Sequence, residues 1–276
     1  MKILSCGAGM QSTALALMSA ENVKNGIVHP EVPVYDAIVF CDLNCEPVWV
    51  YEQVDFIASV CERYGIPFYI LESFIFEEQA QRVQHGKYVK MPLWTMNGGK
   101  KGKLRRTCTI DYKIIAIQQF VKYKLLGYKK RQRMRPEDIG AHEMHIGFSS
   151  EERRRISDSL NPMFVNKFPL ADMGLERKDN YRYILEEWGL ETKASACYIC
   201  PFHKNYFYAY LRDNYPNEYE AVTDFDRILS KKPTNGMVES DLYLTYSCKR
   251  IYELTDADCN DAETFPYNGK LIWNGF

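Results

Sequence analysis

KILSCGAGMQSTALALM, residues 2–18, is the most informative stretch of this chain. Its first four residues are typical of a short apolar strand, residues 5–12 of a glycine-containing loop, and residues 13–18 of the start of an Ala- and Leu-rich helix. Such a loop turns backbone N–H groups inward, and the N-terminus of the following helix adds partial positive charge. The stretch predicts a site for an anion; an ordinary strand–turn–helix start is the alternative.

Strand-like and helix-like segments alternate after this stretch. Residues 37–41 are typical of a buried strand, residues 48–64 have apolar side chains at helical spacing, and residues 67–71 are typical of a third strand. This βαβαβ order predicts a parallel sheet with phosphate sites at the carboxyl ends of its strands. We expect further strands at residues 144–148 and 168–170, and a hairpin or strand pair in residues 242–254.

The composition is that of an ordinary globular chain. Its 276 residues suffice for one large domain, or for one domain with a smaller appendage. A net charge of -1 argues against binding of nucleic acid by bulk charge. No apolar run approaches the roughly 18 residues of a membrane-spanning helix and no secretory signal precedes the first strand, so we expect a cytosolic protein. Nine cysteines in such a chain indicate metal or redox chemistry rather than a disulfide framework.

Asp42 and Glu46 directly follow the second predicted strand, in the sequence CDLNCEP. Carboxylates at the end of a strand near a phosphate loop can hold Mg²⁺, bind a ribose or orient a helix start. A loop residue without a role and an ordinary helix N-terminus are the alternatives for these two positions. Because this segment and the opening loop both follow strands, we expect them to share one edge of the sheet.

Three segments are rich in arginine and lysine. Residues 100–106 and residues 129–135 each form either a solvated surface or a surface that covers or guides an anionic substrate. Arg153 and Arg155 follow the serines of GFSSEERRR, residues 147–155, where a capped helix is predicted. Arginine can contact phosphate or sulfate through two parallel hydrogen bonds, so both arginines are candidates for the anionic end of a ligand; a solvated helix is the alternative.

The sharpest local motif is the CxxC of Cys197 and Cys200, whose two sulfurs can bind one metal ion. Cys108 lies between threonines at a predicted helix start beside two arginines, which favours its thiolate and makes it a reactive thiol or the natural third ligand. His203, Cys248 or a small exogenous ligand are the options for a fourth. We favour an iron–sulfur cluster, with zinc as the alternative metal and a thioredoxin-like dithiol as the redox alternative.

The order of these segments resembles one known family. The opening loop lacks the Gly-Lys-Ser/Thr of a Walker P-loop and the G-x-G-x-x-G pattern, and it is similar to the pyrophosphate loop (PP-loop), usually Ser-Gly-Gly-x-Asp-Ser. The phosphoadenosine phosphosulfate reductase-like branch of the PP-loop (adenine nucleotide α-hydrolase-like) superfamily has a similar succession of blocks: SCGAGMQSTALALM, IVFCDLNCEP, RRTCTIDYKI, HIGFSSEERRR, FPLADMGLERKDN and SACYICPF. The resemblance extends from the first residue to the helix after Phe202.

The resemblance implies a parallel twisted sheet with helices on both faces in residues 1–190, and a cysteine-containing, mainly helical metal-binding extension in residues 191–276. ATP or a related adenine nucleotide would bind at the strand ends, with Mg²⁺ and an iron–sulfur cluster, [4Fe–4S], as further cofactors. The implied phosphate-binding residues are Ser5, Gly7, Gly9, Gln11 and Ser12; those near the nucleotide or Mg²⁺ are Asp42 and Glu46; those at the anionic end are Arg153 and Arg155; and those that hold the cluster and act in catalysis are Cys108, Cys197 and Cys200.

Two departures from the family shape the functional prediction. Gln11 stands where the usual PP-loop has an aspartate, and residues 270–276 lack the Glu-Cys-Gly-Leu-His tail of the phosphoadenylyl sulfate reductases. The three-cysteine set looks more like that of DNA phosphorothioation and tRNA thiolation enzymes. We therefore predict ATP-dependent adenylation and sulfur transfer to a nucleotide or nucleic acid, DNA or tRNA, with a cysteine desulfurase as candidate sulfur donor. A sulfonucleotide reductase and a zinc-stapled nucleotide-binding module without catalysis are the alternatives.

Overall fold

The computed structural model of the chain describes residues 1–233, 236–268 and 270–273. Its internal contacts divide it into two compact units, each discontinuous in sequence. The first unit comprises Met1–Cys41, Val48–Leu71 and Ala116–Ser195, and the second comprises Asp42–Pro47, Glu72–Ile115 and Ala196–Phe276. The second unit thus takes segments from the middle of the chain as well as from its end, whereas the sequence predicted a boundary after residue 190. Residues 234, 235, 269 and 274–276 of the predicted extension lie outside the described residues.

Strands and helices alternate over much of the chain. The strands are β1 (Lys2–Cys6), β2 (Ala37–Asp42), β3 (Phe68–Glu72), β4 (Trp94–Asn97), β5 (Lys100–Lys103), β6 (His142–Ile146), β7 (Phe164–Lys167), β8 (Asp241–Tyr243), β9 (Thr264–Tyr267) and β10 (Lys270–Trp273). The α-helices are α1 (Met10–Asn25), α2 (Val48–Arg63), α3 (Ile75–Gln84), α4 (Ile115–Phe120), α5 (Pro169–Asp172), α6 (Arg177–Trp188), α7 (Asn205–Asn214) and α8 (Pro216–Ser230). Shorter 3-10 or π turns occupy Ile110–Ile114, Val121–Leu125, Pro136–Asp138, Ser150–Arg155, Ile251–Glu253 and Asp256–Cys259.

A five-stranded parallel sheet of order β3-β2-β1-β6-β7, flanked by helices, forms the centre of the first unit. Ile3 of β1 lies opposite Ala37 of β2 on one side and opposite Met144 of β6 on the other, so β1 is the central strand. Ile3 and Met144 pack with Ile117 and Val121 in one apolar cluster. The predicted parallel α/β sheet is confirmed.

Helix α1 is buried along most of its length, because small and apolar side chains surround it on several sides. Ala14, Leu15 and Leu17 are fully buried, and the helix packs against α2 and α6. Helices that are apolar over much of their circumference belong in the interior of a domain. The Ala- and Leu-rich run that predicted a helix start therefore fixes the position of α1 beside the sheet. Among the described helices, none is both long enough and apolar enough to cross a membrane.

The second unit contains a three-stranded sheet of order β5-β4-β8, a β9–β10 hairpin and the helices α3, α7 and α8. Helix α8 packs against α3 and α7, and Phe207, Leu211, Val222 and Phe225 are fully buried there. Arg250 donates to the buried carboxylate of Asp226 at 3.1 Å, and the backbone N–H of residue 251 donates to the same carboxylate at 2.9 Å. This unit is therefore a packed structure of its own, with both strands and helices.

Two local predictions need correction. The predicted strand at 168–170 is wrong, because Pro169 opens the short helix α5 and the strand lies earlier, at Phe164–Lys167. The predicted hairpin in 242–254 is also wrong, since β8 pairs with β4 from a distant part of the chain. The chain after β3 forms α3 and the β4–β5 hairpin, which closes through Gly98 and Gly99, both at positive φ.

Asp138 of the first unit accepts hydrogen bonds from the Tyr128 hydroxyl, from Arg135 Nε at 2.7 Å and from His142 Nε2 at 3.1 Å. These hydrogen bonds lower the pKa of Asp138 to about 2, and the bond from Tyr128 has the largest effect. Because the pKa is lower in the folded state, the ionised carboxylate stabilises the fold above its ordinary pKa, and this stability is lost as the pH falls towards 2. We expect Asp138→Asn to remove that part of the acid sensitivity.

Circular dichroism between pH 5 and pH 2 checks this expectation, with the loss of stability on acidification as the measured quantity. The matched control is Asp158→Asn, which changes an exposed aspartate of the same unit. Equal acid sensitivity of wild type and Asp138→Asn would contradict the assignment.

Candidate functional site

The strand order places the opening loop where the sheet reverses its direction of growth. From β1 the chain adds β2 and β3 on one side, and later adds β6 and β7 on the other side. Open parallel sheets bind ligands outside the carboxyl ends of the strands at such a reversal point. The loop after β1 and the segment after β6 both leave the sheet next to this point, as the sequence predicted for the loop.

Ser12 closes the loop by hydrogen bonds within it. The backbone N–H of Gly7 donates to Ser12 Oγ at 3.1 Å, and Ser12 Oγ donates to the Gly9 carbonyl oxygen at 3.3 Å. Ala8 has a φ of +53°, a conformation that costs energy for a residue with a Cβ. The predicted loop residue Ser12 is thus engaged in shaping the loop, while Ser5 lies half-buried in β1.

Helix α1 starts at Met10 with Gly9 as its N-cap. Since glycine has no side chain, the N-cap residue supplies no side-chain oxygen to the first N–H groups of this 16-residue helix. These donors and the positive end of the helix dipole are the features that bind phosphate at other strand–loop–helix junctions.

Two segments distant in sequence hold the loop in place. A Cβ on Gly9 would lie 2.6 Å from Ser195 Oγ, so only glycine fits this close approach without displacing its neighbour. The buried Gln53 donates from Nε2 to the Ala8 carbonyl oxygen, and its Oε1 accepts from the N–H of Lys193 at 2.5 Å. Gln53 lies outside the sequence motifs, but it was detectable as a polar side chain on the apolar face of α2. Ser195 opens the block SACYICPF, although nothing in that block indicates a contact with the loop.

Gly147, at the end of β6, touches the start of α1. A Cβ on it would lie 2.9 Å from the backbone nitrogen of Ser12 and 3.1 Å from the carbonyl carbon of Gln11. Both contacts are with backbone atoms, which cannot move aside as a flexible side chain can. Close packing of the two segments therefore depends on glycine at this position.

Glu152 brings a carboxylate to Gln11. The Gln11 side-chain amide donates to Glu152 Oε2 at 2.8 Å, and Glu152 Oε1 accepts from Arg155 and, at 3.1 Å, from Arg177. Residue 11 thus has an amide side chain, and the carboxylate beside it comes from Glu152 in another segment. Arg177 was not singled out from the sequence, although it lies in the block FPLADMGLERKDN.

The two predicted arginines have different surroundings. Arg155 joins the Glu152 network, has its guanidinium 4.3 Å from the centre of the Phe148 ring, and leaves 48% of its side chain exposed. Arg153 instead donates to the Ala171 carbonyl oxygen at 2.5 Å. The capped helix predicted here is a 3-10 turn at Ser150–Arg155, and in this described segment the side chain of Ser149 does not cap it. Arg155 is therefore the better placed of the two for an anion.

Asp42 and Glu46 belong to the second unit, so their expected convergence with the opening loop stays a prediction. Asp42 accepts from the N–H of Asn44 at 2.7 Å. Glu46 is buried and its Oε1 lies 3.2 Å from Lys113 Nζ. Its other oxygen has no hydrogen-bond partner among the residues that the structure describes. A buried carboxylate oxygen without such a partner can bind a cation or accept a hydrogen bond from a ligand.

Four cysteines form a connected group in the second unit. The Cys197 thiol is hydrogen-bonded to the thiols of Cys200 and Cys45, and the Tyr198 N–H donates to the Cys45 carbonyl oxygen at 2.8 Å. Cys108 interacts electrostatically with Cys200. Cys45 was not among the predicted ligands, although it stands in the segment CDLNCEP. The three predicted cysteines thus have a fourth cysteine beside them.

Burial governs the protonation of these thiols. It raises the pKa of Cys45 and also that of Cys108, where it outweighs the opposing effect of Arg106. The Cys200 thiol lowers the pKa of Cys197, but the Cys45 thiol and burial together raise it well above its usual value. The Cys197 thiol and burial raise that of Cys200. Arg106 thus favours the Cys108 thiolate as expected, but burial opposes it, because it disfavours the charged sulfur.

The donor types in this group fit a thiophilic metal or cluster. As the side chains stand, however, no group of three or more His, Cys, Asp or Glu residues within the described ranges has the spacing of a metal site. Two options for a fourth ligand are otherwise engaged: His203 Nε2 lies 3.0 Å from the Cys197 carbonyl oxygen, and Cys248 Sγ lies 3.9 Å from that of Tyr246. Binding would require the thiols to draw together and to lose their protons.

The chain thus carries two constellations of different chemistry. One is a glycine loop with an uncapped helix start and an arginine–glutamate network, which suits an anion. The other is a group of cysteines, of which Cys45 is buried and the other three are partly exposed, and it suits a soft metal. No protein-family model, no curated protein and no solved structure matches the chain.

Proposed function

We propose that this chain is an enzyme of the PP-loop superfamily, similar to its phosphoadenosine phosphosulfate reductase-like branch, that binds ATP or a related adenine nucleotide. One observation carries the proposal: a glycine loop at the reversal point of a parallel sheet leads into a helix whose first N–H groups have no side-chain cap. The phosphates would lie against the loop formed by Ser5, Gly7, Gly9, Gln11 and Ser12, with Arg155 at the anionic end. The finer fold of this superfamily, with helices on both faces of the sheet, is part of the proposal.

The proposed reaction has two steps. An oxygen of the acceptor attacks the α-phosphorus of ATP, the α–β bond breaks, and pyrophosphate leaves with Mg²⁺. Sulfur at the oxidation level of sulfide then attacks the activated acceptor atom, the bond to the adenylated oxygen breaks, and AMP leaves. Neither step changes the oxidation state of ATP or of the acceptor. Asp42 and Glu46 are the proposed carboxylates near Mg²⁺, and the unpartnered buried oxygen of Glu46 supports this role.

Cys108, Cys197 and Cys200 would hold an iron–sulfur cluster, [4Fe–4S], with zinc as the alternative. Such a cluster, when bound, supplies a thiophilic position for the sulfur that the acceptor takes up, and a cysteine desulfurase is the candidate source of that sulfur. The contacts among the thiols support the choice of these cysteines, and a bound cation would lower their raised pKa values and ionise them. A nucleic acid, DNA or tRNA, is the proposed acceptor.

Nucleotide binding provides the test. We expect Arg155→Ala to weaken ATP binding by about tenfold, because it removes a charge-assisted contact with phosphate. Arg154→Ala, at the exposed neighbouring position, should bind ATP as wild type does. Isothermal titration calorimetry with Mg²⁺ and ATP measures both. Wild type without affinity for ATP or for adenylyl sulfate would contradict the proposal, and equal losses in the two variants would contradict the role of Arg155.

Product analysis separates the proposed reaction from its alternatives. Release of pyrophosphate and AMP with a nucleic-acid acceptor and sulfide supports the adenylation route. Reductant-dependent release of sulfite from an adenylyl sulfate would identify a sulfonucleotide reductase instead. Stoichiometric zinc without either set of products would identify a binding module.

A further inference from the structure

The β4–β5 hairpin of the second unit, together with the residues that follow it, forms a surface that we call the basic ribbon, residues 94–106. Its strands pair from Trp94 with Lys103 to Asn97 with Lys100. A Cβ on Gly102 would lie 2.8 Å from Thr95 Oγ1, so the two strands approach closely there. Because β4 lies between β5 and β8, β5 is an edge strand of its sheet. The ribbon thus presents β5 at a sheet edge.

Positive charge is concentrated on this edge. Residues 100–106, KKGKLRR, contain five lysines and arginines and no acidic residue, in a chain whose net charge is -1. All of these lysines and arginines are exposed. None of them forms an ion pair with a carboxylate of the described residues, whereas many other lysines and arginines of the chain do. An uncompensated cluster of this kind attracts a polyanion.

Aromatic rings lie between these charges. Lys101 Nζ lies 3.0 Å from the centre of the Tyr246 ring, and Lys103 Nζ lies 5.0 Å from that of Trp94 and 4.7 Å from that of Phe202. The Trp94 and Tyr246 rings meet edge to face at 4.9 Å, and Tyr246 is 64% exposed. A merely solvated basic surface does not need large rings at this spacing.

We propose that the basic ribbon binds unpaired nucleotides of a nucleic-acid strand, with its cations at the phosphates and Tyr246 and Trp94 against the bases. Cations that follow a backbone and aromatic rings that stack on bases are the combination by which proteins hold single strands. Paired bases in a duplex stack on one another and cannot stack on a protein ring, so a duplex would contact only the lysines and arginines. The inference names the substrate class of the proposed reaction and in that respect rests on the proposed function. Binding itself requires neither ATP nor a metal.

Fluorescence anisotropy with labelled 20-nucleotide oligo(dT) and oligo(U), and with a 20-base-pair duplex, tests this inference on the full chain. We expect a single strand to bind at least tenfold more tightly than the duplex, and the comparison of DNA with RNA identifies the preferred strand. Lys101→Ala/Lys103→Ala should weaken binding at least tenfold and reduce the salt dependence, log K against log [salt], by about 1.4, or about 0.7 for each lost phosphate contact. Tyr246→Leu should weaken binding on the order of tenfold with the salt dependence unchanged.

Lys129→Ala/Lys130→Ala removes two exposed lysines of the other basic segment and serves as the matched control. Circular dichroism confirms that each variant is folded. The inference is overturned by a preference for duplex, by the absence of binding to either strand, or by equal losses in the control. Failure here leaves ATP binding intact, whereas strand binding without affinity for any adenine nucleotide would overturn the proposed function alone.

Discussion

Cys197→Ser and Cys200→Ser are expected to lower the metal content of the anaerobically purified chain at least tenfold. Both residues are half-buried and their thiols are hydrogen-bonded to each other, so a serine in either place puts a hard, protonated oxygen where a soft metal needs a thiolate. Binding of metal by thiols contributes directly to the free energy of unfolding. The melting temperature of each variant should therefore also fall below that of wild type.

Elemental analysis for iron and zinc, acid-labile sulfide and the visible absorption spectrum measure the effect. About four iron atoms and about four sulfides per chain identify a [4Fe–4S] cluster, and zinc without sulfide identifies the alternative. Cys61→Ser and Cys259→Ser are the matched controls, because the pKa values of these two buried cysteines respond chiefly to burial and to groups other than Cys197 and Cys200. Cys45→Ser tests the fourth thiol of the group and should lower the metal content as well.

Two outcomes would contradict this expectation. Wild type purified under these conditions without iron or zinc would refute the proposed metal site itself. Metal content in Cys197→Ser equal to that of the two controls would show that the metal is held elsewhere in the chain. Either result leaves the opening loop and its proposed nucleotide untouched, since the loop belongs to the first unit.

The parallel sheet could be predicted because its strands are local, apolar and separated by helices. Residues 2–5 and 37–41 lie within strands that are one residue longer in the structure, and the strand expected at 67–71 is displaced by one residue. The order of elements then leaves few topologies open. The strand β8 could not be found in this way. Its partner β4 lies far away in sequence, and its three residues carry no periodic pattern of their own.

The candidate site also has a part that the sequence predicts and a part that it does not. Gly7, Gly9 and Gln11 lie close together in sequence, so the motif that contains them can be recognised from the amino-acid sequence alone. Ser195 and Glu152 reach the loop only through tertiary packing, and the blocks that contain them, SACYICPF and HIGFSSEERRR, do not indicate this contact. The loop geometry thus depends on partners that no single stretch of sequence names.

Gly147→Ala is expected to destabilise the first unit by about 1–3 kcal/mol, the usual cost of overpacking, and to abolish measurable ATP binding. No positive φ is involved at Gly147, so the effect arises from contact alone. The added methyl group would lie 2.9 Å from Ser12 N and 3.1 Å from the Gln11 carbonyl carbon, and relief of this contact must shift the backbone at the start of α1. The first N–H groups of that helix, which are the proposed phosphate donors, would move with it.

Gly7→Ala and Gly9→Ala complete the experiment, because they place the same methyl group against different neighbours. At Gly7 it would lie 3.6 Å from Ser195 Oγ, an ordinary contact, so we expect stability within about 0.5 kcal/mol of wild type. At Gly9 it would lie 2.6 Å from the same oxygen, and Ser195→Gly should restore part of the loss. No such rescue is open to Gly147→Ala, whose neighbours are backbone atoms. Urea unfolding and ATP titration measure the stability and the ATP affinity of the three variants. If Gly147→Ala matches Gly7→Ala in both, the close packing of β6 against the loop is not what holds the nucleotide site.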